Sequence, residues 1–238
     1  MGPPLTTCAD SDVRIRNRTT DASLCLLSER QPTMPLHVPL APAPALRSVL
    51  AALGSPTAVR EARTPALRSV QGPLSPELPL PVHVLEQIAP SSDAPQTRLA
   101  GWRFLIHSGE RAVAAADTML TPDGWAFSHF FEGPYIAATQ TALRQAETLK
   151  SPYQPRLLSV PGLYMLTLWL HQDTDADASA GAPAPADLLI PLAPAPPGIV
   201  AHRPHRVADL LPMMGLRLTS ALRPPSTAPS ASLLSTTA

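Results

Sequence analysis

Three histidines, His107, His129 and His171, are the residues of this 238-residue chain whose type and placement could do chemistry. Each lies at or near the end of a segment with strand-like alternation. If those ends met, three imidazoles with Glu132 or Asp117 beside them would match a catalytic zinc site, which uses three protein ligands and an open position. Their spacing argues the other way, because no His-x3-His or similar ligand pair is present and histidines at strand ends are ordinary surface residues. His129 could instead serve as a general base oriented by Asp117. No Gly-x-Ser-x-Gly elbow or pair of catalytic carboxylates accompanies it, and a part-buried histidine satisfied by a neighbour is the commoner state.

Two other charged groups invite a ligand. Asp173, Asp175 and Asp177 begin like a calcium loop, but position 6 from Asp173 is Ala178 and position 12 is Ala184, where glycine and a bidentate Glu are required. The expectation is an exposed, flexible acidic loop. His202-Arg203-Pro204-His205-Arg206 could hold a phosphate or carboxylate through Arg203 and Arg206. Nothing glycine-rich accompanies it, so a solvated linker that opens the last helix is the plainer reading. Cys8 and Cys25 both precede the region that could fix their geometry, which predicts neither a disulfide nor a thiolate metal site. No cofactor and no metal is assigned.

The elements that must position these side chains are marked by two segregations. All ten aromatic residues fall between Trp102 and Trp169, while only five of the 31 prolines lie between Arg98 and Gln172. Rings bury the most area per side chain and proline stops helices and inner strands, so the core is expected around 102–169. Within it, Trp102, Phe104 and Ile106 alternate on one face of a strand, and Val113 to Met119 reads as a second. Thr121-Pro122-Asp123-Gly124 is a turn. Trp125, Phe127, His129 and Phe131 are expected to share one face of a third strand, closing an antiparallel meander.

Gly133-Pro134 starts a helix whose stripe is Tyr135, Ala138, Ala142, Ala146 and Leu149. Arg156 to Val160 and Leu163 to His171 read as strands, the second apolar on both faces and therefore central. Asp187 to Leu192 is a further strand. Val207, Leu210, Leu211, Met214 and Leu218 fit a closing helix that Pro212 and Gly215 bend or divide. Pro81 to Leu85 alternates weakly and is a candidate first strand. The hexapeptide Pro-Ala-Leu-Arg-Ser-Val occurs at 44–49 and again at 65–70. Leu46, Val49, Leu50 and Leu53 would line a brief helix ended by Gly54, but drift in a biased linker is the plainer reading, since two copies fall short of a repeat architecture.

Charge and composition bound the function. Eighteen basic residues balance 18 acidic ones, so no long-range field favours nucleic acid or an acidic membrane. The longest apolar run, Leu163 to Leu170, is far short of the ~20 residues of a membrane span. The N-terminus has no apolar run behind basic residues, which predicts a cytoplasmic protein. Residues 1–33 are polar and aperiodic, and Met34 is a candidate native start.

The series Gly101-Trp102-Arg103-Phe104-Leu105-Ile106, Pro155-Arg156-Leu157-Leu158, Val160-Pro161-Gly162-Leu163-Tyr164, Leu168-Trp169-Leu170 and Asp187-Leu188-Leu189-Ile190-Pro191-Leu192 resembles uncharacterised proteins of high-GC actinobacteria. It spans roughly residues 79–210 and involves packing residues, so it implies a recurring domain and no chemistry.

These readings converge on a single α+β domain at 79–219, with an antiparallel sheet, one main helix on it and a broken C-terminal helix. A disordered, proline-rich region (1–78) would precede it and a disordered tail (220–238) would follow. The expected function is a non-enzymatic cytoplasmic binding or protein-interaction module that self-associates or docks a protein partner. The alternative is a metal-dependent hydrolase or small-ligand-binding protein using His107, His129, His171, Arg203 or Arg206. That alternative requires the three histidines to converge, whereas Trp125 or Phe130 exposed in an apolar patch would favour a partner surface.

Overall fold

The computed structural model describes residues 36–61, 64–88 and 95–221. Cys8, Cys25, the start at Met34 and the tail from residue 222 lie outside the described residues. Three short helices come first, α1 (Ala43–Leu53), α2 (Pro56–Glu61) and α3 (Pro65–Ser69). The strands β1 (Ser75–Gln87), β2 (Gln96–Ser108), β3 (Arg111–Thr121) and β4 (Gly124–Phe131) follow, then α4 (Pro134–Glu147). β5 (Gln154–Val160), β6 (Met165–His171), β7 (Leu188–Pro191), β8 (His205–Arg206) and α5 (Val207–Ala221) complete the order.

All eight strands join one sheet in the order β4-β3-β2-β1-β5-β6-β7-β8. Every neighbouring pair is antiparallel except β1 and β5. The fold is therefore α+β with a mixed sheet, rather than the purely antiparallel one expected. The parallel pair arises because α4 carries the chain from the β4 edge across the sheet to the far side of β1, and such a crossover needs a helix-length connection.

Alternation along the strands builds two cores. Leu80, Leu105, Leu157, Leu168 and Ile190 face α4, which buries Ile136, Ala138, Ala142, Leu143 and Ala146 against them. The alanines let the helix axis approach the sheet closely. On the opposite face, Trp102, Phe104 and Ile106 pack beneath α1 and α3, while Leu158, Trp169 and Leu189 pack beneath α5. Trp102, Phe104 and Trp169 are each at most 2% exposed, and burial of such rings contributes about 2–3 kcal/mol apiece.

The start of the domain is earlier than residue 79. Ala45, Val49, Ala52 and Leu67, from the segment expected to be disordered, are all buried against β2, β3 and β4. Pro44 and Pro65 sit in the first turn of their helices, where the missing N–H costs nothing, so proline density did not preclude structure there. The two hexapeptide copies are both helical but turn different faces inward. The first copy buries Ala45 and Val49 and leaves Leu46 exposed, whereas the second buries Leu67.

Three further expectations change. α5 is one continuous helix in spite of Pro212. Residues 161–163 form a 3-10 turn, and Tyr164 caps it in the left-handed region at φ 50°, 91% exposed, instead of joining β6. Ser128 has no partner across β3, because Asp117 pairs with His129 while Thr118 pairs with Phe127. A bulge of one residue inverts the side-chain alternation beyond it. Trp125, Phe127 and Phe130 thus share the α1 face, and His129 and Phe131 turn to the α4 face.

Candidate functional site

The three histidines do not converge. His107 lies on β2, His129 on β4 and His171 on β6. At about 4.8 Å per strand, β2 and β4 are roughly 10 Å apart and β2 and β6 roughly 14 Å. His171 also lies on the opposite face, against Trp169. His107 is buried, its Nε2 3.4 Å from Gln140 of α4 and its Nδ1 3.5 Å from Glu77 Oε2. His129 is exposed and meets Ser128 Oγ through Nδ1. Asp117, its cross-strand neighbour, is taken by Arg103, whose Nε and NH2 reach Oδ1 and Oδ2 at 2.8 and 2.9 Å. Arg103 also stacks over Phe131. Among the described residues no group of three His, Cys, Asp or Glu is placed to hold a metal ion.

His171 has the chemically sharper surroundings. Its Nδ1 lies 2.7 Å from Oδ2 of Asp187, a carboxylate that is 0% exposed. A carboxylate only accepts, so Nδ1 carries a proton and donates it to Asp187. That is the geometry of a base with its orienting acid. Among the described residues, however, no hydroxyl or thiol hydrogen-bonds to His171, and Asp187 holds far more than the histidine. It also accepts from Trp169 Nε1 at 2.8 Å and from the backbone N–H groups of Gln172 and Ala184 at 3.0 and 2.9 Å.

Those contacts belong to a larger arrangement that sequence reasoning missed. Between the helix pair at one end of this sheet face and α5 at the other, residues 172–187 cover the strands as an irregular strap. A helix satisfies its own carbonyls, whereas a buried loop requires donors from its surroundings. The sheet supplies them. Arg156, 0% exposed, donates from NH1 to Ala180 O at 2.6 Å and from NH2 to Asp177 O at 3.1 Å. Its Nε donates to Gln154 Oε1, and Gln154 Nε2 donates to Thr174 O and Ala176 O. His83 Nε2 donates to Ala178 O, and Thr97 Oγ1 to Gly181 O. The guanidinium lies 4.8 Å above the Trp169 ring, which stabilises its charge further.

Burial governs the titration of this group. Desolvation, opposed by the Ala178 hydrogen bond and reinforced by the nearby Arg156 charge, lowers the His83 pKa to about 4. His83 is neutral at pH 7, and its Nδ1 is buried without a partner. Desolvation also lowers the Arg156 pKa, against the raising pull of Asp187, Asp177 and Asp173.

Asp173, Asp175 and Asp177 are exposed as expected, in a loop with hydrogen-bonded turns. Asp173 and Asp177 fold its turns by accepting from the N–H groups of Asp175 and Ser179. The hydrogen bonds from Ser179 lower the Asp177 pKa. Arg203 precedes β8 and Arg206 belongs to it, both exposed, with Arg206 paired to Leu188 and His205 to Leu189. The first N–H groups of α5 are already spent, Val207 on Asp187 O and Ala208 on Pro185 O. An anion at that helix start would have to displace the strap.

The exposed apolar residues lie elsewhere, Val200, Met213 and Leu216 on and before α5 and others at the β3–β4 corner. Phe130 is 6% exposed and Trp125 is half-buried, so the exposed patch at these rings that would have favoured a partner surface is not formed. Met119 and Leu120 of β3 are 47% and 63% exposed instead, and Leu46 and Leu50 stand out from α1 at 36% and 48%. Leu120 pairs with Trp125 and Met119 with Ala126, so apolar groups flank the end of the β3–β4 hairpin on both sheet faces. Beside them runs the outer edge of β4. Gly124–Phe131 contains no charge and no proline.

No family model, curated protein or solved structure matches the chain.

Proposed function

We propose that this chain is a non-enzymatic protein-interaction module that presents the corner formed by α1, the β3–β4 hairpin and the edge of β4 that no other described strand pairs. The observation that carries the reading is the coincidence of exposed Met119 and Leu120, on opposite faces, with an uncharged sheet edge. Open edges template strand addition, and soluble proteins ordinarily blunt them with charge, proline or a cover. The other edge is blunted in that way, since β8 has two residues and leads directly into α5. The buried polar residues support the reading too, because Arg156, Gln154 and Asp187 are spent on holding the strap.

A photo-crosslinking amino acid in place of Leu120, expressed in the native cells, tests it. Adducts at position 120, but not at the equally exposed Leu216 of α5, are expected. Adducts at neither position, or equally at both, would overturn the reading.

The hydrolase alternative rests on His171 with Asp187. It predicts that His171→Ala abolishes an activity while leaving the melting temperature nearly unchanged.

A further inference from the structure

We propose that residues 173–183 form a lid that acid releases, with His83 as its latch: a proton on this buried ring has no acceptor and a cation for a neighbour until the segment above it lifts.

The segment is built to move as a unit. Both its ends are pinned to one carboxylate, with Gln172 N–H donating to Asp187 Oδ1 and Ala184 N–H to Oδ2. Between those points runs an irregular loop with close ends, a form that opens locally while the elements around it stay folded. Among the described residues no backbone–backbone hydrogen bond ties 173–183 to the sheet. Side chains hold it down instead. Arg156 reaches Ala180 O and Asp177 O, Gln154 reaches Thr174 O and Ala176 O, and Thr97 reaches Gly181 O. At the middle, His83 holds the carbonyl of Ala178, a buried residue of the segment.

His83 is the member of that set whose charge changes in mild acid. Its ring is 1% exposed, Nε2 is committed to Ala178 O, and Nδ1 is buried without a partner. A second proton would sit on Nδ1, where nothing accepts from it, and a buried charge without a partner is costly. The charges around the ring add to that cost. Arg156 of β5 and His171 of β6 both oppose the proton, and β2 contributes only the uncharged Thr97 beneath the segment. The ion pairs among the described residues do not include Arg156, whose guanidinium meets carbonyl oxygens and Gln154. Asp187, Asp177 and Asp173 act on it from further away, and each already accepts hydrogen bonds from N–H groups at or within the segment. A second cation beside Arg156 is therefore left without a counter-charge in contact. Lifting the segment lets water reach both.

Under the closed lid the His83 pKa is held at about 4, against 6.5 in water, so between those values the open form takes a proton that the closed form refuses. The ratio of open to closed is expected to be roughly 50- to 100-fold higher at pH 4.5 than at pH 7.

Amide hydrogen exchange of the full chain, corrected to the intrinsic rate at each pH, is the test. Ser179 and Ala180, whose N–H groups are held by Asp177, report on the segment, and Trp102–Ile106 of β2 report on unfolding of the whole chain. Asp177 stays largely ionised at pH 4.5, because its hydrogen bonds with Ser179 hold its pKa below 3.8. Protection at Ser179 and Ala180 is expected to be weaker than in β2 at both pH values and to fall roughly 50- to 100-fold between them. In His83→Gln, which keeps a donor and does not titrate, the fall is expected to vanish. Protection equal to that of β2 would mean that the segment lifts only when the chain unfolds, and would overturn the lid. No fall in wild type, or the same fall in the variant, would overturn the latch. Should the variant fail to fold, the wild-type profile decides. One proton taken up on opening gives about a tenfold loss of protection per pH unit below about pH 6, and a flat profile overturns the proposal.

Discussion

The rings of Phe127 and Phe130 pack 4.5 Å apart although they stand three positions apart along a strand, a spacing that ordinarily places side chains on opposite faces. The unpaired Ser128 between them makes the contact possible and sends His129 and Phe131 to the other face. Phe130→Ala is therefore expected to destabilise the protein by about 3 kcal/mol, as buried phenylalanine truncations do. His129→Ala should stay within about 0.5 kcal/mol of wild type, the range of exposed sites. Equilibrium urea unfolding measures both, and equal losses would mean that the alternation runs through Ser128 uninterrupted.

The bulge also shows where the sequence stops being legible. The meander of β2, β3 and β4, the α4 stripe and the two-sided burial of β6 follow from periodicity and are present. The position of an extra residue depends on how two strands settle against each other, and GWAFSHFF carries no local mark of it. Helices α1 and α3 were obscured by proline, whose cost disappears in a first helical turn. The polar group under the strap left one trace, since His83 interrupts the apolar run from Leu80 to Leu85. Only the fold reveals that this position faces a loop with carbonyls to satisfy.

Stability should fall with acid through His83. Its pKa is depressed from 6.5 to about 4 in the folded state, so the unfolded chain binds the extra proton between those values. The contribution is complete above pH 6.5 and is lost as pH falls toward 4, on the order of 2–3 kcal/mol at about 1.4 kcal/mol per unit. His83→Gln keeps a donor for Ala178 O and removes the titration. Urea midpoints at pH 7 and pH 4.5 should differ less for this variant than for wild type, and an unchanged difference would assign the acid sensitivity elsewhere.

Asp187→Asn puts an amide donor where a carboxylate accepts from Trp169, His171, Gln172 and Ala184. The expected cost is about 3 kcal/mol, because buried donors lose their partner. Hydrogen exchange at Gln172 and Ala184 should accelerate with it. A variant as stable as wild type would show that the carboxylate is not what closes the strap.

Gly101 admits no side chain. A Cβ there would lie 1.9 Å from Thr118 O, a backbone atom held in the β2–β3 ladder. Gly101→Ala is expected to cost about 3 kcal/mol or more by forcing the strands apart. Its melting temperature checks this, and an unchanged value would refute the close approach.

Hydrogen exchange along Gly124–Phe131, followed in the labelled chain with and without clarified lysate of the native cells, tests the β4 corner most directly. Occupation of the corner predicts that protection in this segment, and in the exposed turns of α1, rises on addition while Tyr164 and the outer face of α5 stay unchanged. Exchange in β4 that is fast and indifferent to the addition would contradict it.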